Sequence, residues 1–85
     1  DIVFKVYPNP TKQDFTVEIT LPETVTEKSK FFVTGINGST KYQRQLQAGF
    51  NRFEVGTGGW HPVTYICNLM VGNVFVGSKK LILNK

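Results

Sequence analysis

The chain has 85 residues, 40% of them apolar and 13% aromatic, which is enough for one thin-cored domain and too much for a disordered tail. One Cys and one His exclude an internal disulfide and a structural zinc site. The net charge of +4 is uneven, because residues 1–54 carry +1 while residues 55–85 hold three lysines and no acid.

In chain order, the periodicity is two almost everywhere. Ile2, Phe4 and Val6 share one face of a strand over residues 2–7, with Lys5 opposite. Pro8 and Pro10 end it, since proline gives up a ladder donor. From Asp14 to Leu21, Phe15, Val17, Ile19 and Leu21 alternate with Asp14, Thr16, Glu18 and Thr20, which predicts a half-buried strand. The polar stretch from Pro22 to Ser29 reads as a loop crossing between two sheets. Residues 30–36 are apolar on both faces, as in an interior strand. Asn37-Gly38 is a two-residue hairpin signal joining Ile36 to Ser39.

Further strands are predicted over 40–47, 51–55, 63–71 and 74–83. Gly56-Thr57-Gly58-Gly59 is a loose connection, and Gly72-Asn73 is a second two-residue hairpin signal. With Leu81 and Leu83 on one face, Ile82 points the other way. About seven strands at this spacing predict an all-β, immunoglobulin-like antiparallel sandwich, with a small open barrel as the alternative. No window approaches the ~18 apolar residues of a membrane-spanning helix. The chain opens at Asp1 rather than Met and is expected to be one domain, residues 1–85, of a longer protein.

Little here suggests catalysis. His61 is the only imidazole, flanked by Trp60 and Pro62, and Ser29, Ser39 and Ser78 are expected at loop or turn positions. Nucleophile-elbow and phosphate-cradling glycine spacings are absent from the sequence. Cys67 alternates with Tyr65 and Leu69 and reads as core packing. No catalytic residue, cofactor or metal is expected. Nucleic acid is not favoured, because the lysines are sparse and lack an aromatic-and-basic recognition pattern. The acid-free C-terminal stretch allows weak contact with an anionic cell surface. Trp60, with Phe50 and Tyr65, offers aromatic faces for stacking on sugar, so a carbohydrate-binding accessory module is an alternative function.

One construction stands out. Val6-Tyr7-Pro8-Asn9-Pro10-Thr11, followed by Asp14-Phe15-Thr16-Val17, resembles the opening of the C-terminal sorting domain of the Bacteroidetes type IX secretion system. Asn37-Gly38, Tyr65 and the closing string Lys79-Lys80-Leu81-Ile82-Leu83-Asn84-Lys85 extend the resemblance over the whole chain. Val63-Thr64 stands where that family usually has a glycine step. The resemblance implies an address label rather than an enzyme. The cargo would reach the periplasm, be exported across the outer membrane by the type IX machinery, and lose the label to a sortase-like peptidase. It would end secreted or at the cell surface. The same resemblance implies Tyr7, Pro8, Asn9, Pro10, Lys79, Lys80 and Lys85 as recognition residues.

Overall fold

Alternating apolar residues become seven strands in the computed structural model, which describes residues 2–85. They are β1 (Val3–Tyr7), β2 (Phe15–Leu21), β3 (Ser29–Thr34), β4 (Thr40–Leu46), β5 (Gly49–Val55), β6 (Thr64–Val71) and β7 (Val74–Ile82). Two antiparallel sheets result, a three-stranded one ordered β1-β2-β5 and a four-stranded one ordered β4-β3-β6-β7. The polar loop after β2 does cross between the sheets, and Gln47-Ala48 carries the chain back. β3 is interior, as its two-sided apolar pattern predicted. The architecture is the immunoglobulin-like sandwich, with the fourth strand lying in the sheet of β3, β6 and β7.

The inner faces supply the core. Phe15, Val17, Ile19 and Leu21 from β2 meet Phe31 and Val33 from β3, and Tyr65, Cys67 and Leu69 from β6. Phe31 is the hub of an aromatic cluster, with ring centroids 5.4 Å from Phe53 and 6.2 Å from both Phe4 and Tyr42. Burying such a ring removes 150–250 Å² from water, about 4–6 kcal/mol as an upper bound.

Tyr65 adds a feature of this fold class. It stands at the start of β6, fully buried, and its hydroxyl donates to the His61 carbonyl oxygen at 2.7 Å. That is the tyrosine corner, with the tyrosine two residues before a cysteine. Cys67 occupies the place where antibody domains put one half of their inter-sheet disulfide. As the chain's only cysteine it is a buried free thiol, and burial pushes its pKa up to about 12.

Two turns show how glycine sets the connections. At Gly72-Asn73, Val71 pairs with Val74 across a two-residue loop, and Gly72 has φ of 62°. Positive φ at the first central residue alone is the type II′ geometry. The Asn37-Gly38 expectation is corrected. β3 ends at Thr34, and a Gly35 N–H to Ser39 carbonyl bond of 2.9 Å encloses three residues, Ile36 to Gly38. The Gly38 N–H also bonds the Gly35 carbonyl at 3.0 Å, and Gly38 has φ of 87°. A type I turn closed by a left-handed glycine fits the same dipeptide signal, so sequence could not distinguish the two. β5 likewise begins earlier than predicted, at Gly49, because its ladder with β2 extends to the Leu21–Gly49 pair, and β6 starts at Thr64 with Val63 exposed outside.

Candidate functional site

The chain leaves β1 through Tyr7-Pro8-Asn9-Pro10, with both X–Pro bonds cis, and passes along the free edge of β7. Asn9 does there what a strand residue would do with its backbone. Its side-chain Nδ2 donates to the Lys80 carbonyl at 2.6 Å, and its Oδ1 accepts the Ile82 N–H at 3.0 Å. Thr11 continues the pairing with its backbone. Its N–H donates to the Ile82 carbonyl at 2.9 Å, and its carbonyl accepts from the Asn84 N–H at 2.8 Å. Thr11 and Leu83 thus form a parallel bridge. Four hydrogen bonds clasp the closing segment against the opening motif, across 71 and 73 residues of sequence in the case of Asn9.

Both the donor and the acceptor of the Asn9 amide are thus used within the chain. The reason is geometric. A carboxamide carries an acceptor and a donor on one planar group, so it can bridge a carbonyl and an N–H on a strand edge. The flanking prolines have no N–H to compete for those groups.

The other expected recognition residues diverge. Tyr7 turns to the outer face of the three-stranded sheet, where its hydroxyl donates to Glu18, which also faces Arg52 at 3.7 Å. Lys80 lies on the outer face of the four-stranded sheet, opposite Ile66. Lys79 points inward at the rim and sets its ammonium over the Phe4 ring, 5.6 Å from the centroid. Lys85 reaches back and donates to the Thr57 carbonyl at 2.8 Å. Only Asn9 and the backbone of Lys80 are in direct contact, with Pro8 and Pro10 beside them.

Sequence reasoning missed Thr11 and Thr57, both buried. The Thr11 hydroxyl donates to the Asp14 carbonyl at 2.9 Å, and the Thr57 hydroxyl to the Gln13 carbonyl at 2.8 Å. They brace the stretch between the proline motif and β2 against the glycine loop. A shallow cleft of about 540 Å³ lies there, lined by Lys12, Asp14, Thr57 and Lys85 among others. A buried threonine in a polar context has no sequence signature of its own.

The sugar-stacking platform does not assemble. Trp60 packs on the core, 5.0 Å from Tyr65 and 6.3 Å from Phe15 between ring centroids. Tyr65 is buried, and Phe50 sits opposite Thr20 at the far end of the β2–β5 ladder from Phe15. His61 is exposed, and no group of three or more His, Cys, Asp or Glu able to hold a metal occurs among the described residues.

No curated protein and no solved structure matches the chain. A family model does, and it spans the clasp from before Tyr7 to Asn84. Its match over residues 5–84 shows that the chain belongs to the secretion system C-terminal sorting domain family, the sorting tail of type IX secretion.

Proposed function

We propose that this domain is an export label read as a folded object. In this reading the outer-membrane machinery of type IX secretion recognises the edge where the Tyr7–Pro10 turn meets Lys79–Lys85. A sortase-like peptidase then removes the label, residues 1–85, from a cargo that arrived through the periplasm. The domain supplies shape and charge and no chemistry of its own.

The observation that supports this is the four-bond clasp, which makes one surface of the family's opening and closing motifs. Two segments so far apart in sequence can act as one recognition element only if the fold holds them together. Pro8, Pro10, Lys80 and Lys85 are all exposed at or near that edge.

A reporter carrying residues 1–85 at its C-terminus tests the reading in a strain with intact type IX machinery. The intact tail is expected to send the reporter out of the cell. A Lys79→Ala, Lys80→Ala tail should fold normally by circular dichroism yet export several-fold less. Retention of the intact reporter inside the cell would sink the proposal. Full export by the double variant would remove those lysines from it.

A further inference from the structure

We infer that the outer face of the four-stranded sheet is a docking surface for an anionic lipid bilayer. Charge in this molecule segregates by sheet. The strands of the four-stranded sheet carry Lys30, Lys41, Arg44, Lys79 and Lys80 and no carboxylate. The three-stranded sheet balances Lys5 and Arg52 against Glu18 and Glu54. The remaining described acids lie in loops: Asp14 just before β2, and Glu23 and Glu27 in the crossing loop, where the Glu27 stem packs beside Gly72.

Apolar side chains run across the outer face around the buried Asn68, which pairs with Phe32 on one side and Ser78 on the other. Register places Met70 beside Phe75, and Ile66 beside Lys80. Phe32 and Ile82 sit diagonally from these on the same face. Phe75 and Ile82 are 56% and 42% exposed. Lys30 lies opposite Met70, with its ammonium 5.1 Å from the Phe32 centroid. Apolar side chains with a lysine beside Met70 and another beside Ile66 make the pattern of a surface that rests in the headgroup layer. Its rings enter the acyl boundary while the long lysine stems reach phosphates.

Charge complementarity selects an anionic occupant. Shape and side-chain type favour lipid over an acidic protein. The molecule measures 39 × 23 × 17 Å, so this sheet is one of its broad faces. The cations on the face itself are lysines, mobile point charges suited to a fluid array of phosphates. Arginine forks, which would fix a carboxylate geometry, are absent from the outer face.

Vesicle co-sedimentation of the 85-residue chain tests this, with phosphatidylcholine alone and with 30% phosphatidylserine. Binding is expected only to the anionic vesicles, and weakened by added salt. Lys30→Gln with Lys80→Gln should lower the partition coefficient about 25-fold, at about fivefold per lysine. Phe75→Ser, at an exposed site that folding does not need, should lower it roughly tenfold. Lys5→Gln with Lys12→Gln removes the same charge elsewhere and should change it less than about twofold. Equal loss from both lysine pairs would show attraction by net charge and overturn the proposal. So would indifference to phosphatidylserine. Binding of polyglutamate, dependent on Lys30 and Lys80, without vesicle binding would overturn it in favour of an acidic protein partner. Neither result touches export of the reporter, so the two readings fail separately.

Discussion

At the scale of single residues, Asn9 shows how one side chain substitutes for a strand. Its two hydrogen bonds to β7 are worth about 1 kcal/mol each, since water competes for both. Asn9→Ala should therefore lower unfolding stability by about 1–3 kcal/mol in urea titrations. Asn9→Asp keeps the acceptor for Ile82 N–H but sets a carboxylate against the Lys80 carbonyl, so it should be no better than alanine. Cys67 makes a pH prediction. Its folded pKa of about 12 lies above the ordinary value near 9, because burial penalises the thiolate. Between those values the unfolded chain releases a proton that the folded chain keeps. Stability should be level below pH 9 and fall as pH rises toward 12. A Cys67→Ala variant should lack that part of the slope. In the folded protein at pH 8, iodoacetamide should leave Cys67 unmodified.

Among elements, strands were far more legible than their edges. Alternation in 14–21 and 63–71 reports burial directly, because one face of each strand meets the core. Turn type was less legible, since Asn-Gly serves a two-residue loop and a three-residue bulged loop alike. The clasp was not legible at all. Nothing in Tyr-Pro-Asn-Pro says that Asn9 will meet Lys80, because that contact depends on where β7 ends relative to β1. The tyrosine corner had a readable signal in the Tyr65-Ile66-Cys67 spacing, which the alternation pattern absorbed as core. The clasp carries its own prediction. The amides of Thr11, Ile82 and Asn84 should show matched hydrogen-exchange protection in the intact domain. In Asn9→Ala that protection should drop together, while amides of β2 and β6 keep theirs.

Taken whole, the molecule has one core shared by both sheets, with no second cluster to unfold separately among the described residues. Trp60 sits at one end of that core, so its fluorescence reports tertiary packing there, while far-UV circular dichroism reports all seven strands. The two probes should give coincident urea transitions; separated midpoints would show that the sheets come apart independently. Charge distribution also changes meaning at this scale. Along the chain it looked like an acid-poor second half; in space it is an acid-free sheet, because β3 and β4 join β6 and β7. The clasp has a mechanical consequence as well. β1 and β7 both start at the same end of the long axis, and the Thr11–Leu83 pairing is parallel. Tension applied between Ile2 and Lys85 therefore runs along the strands and across the four clasp bonds. They are loaded together in shear rather than peeled one at a time, so the terminal strand is held hardest against the direction in which a pulling machine would draw it.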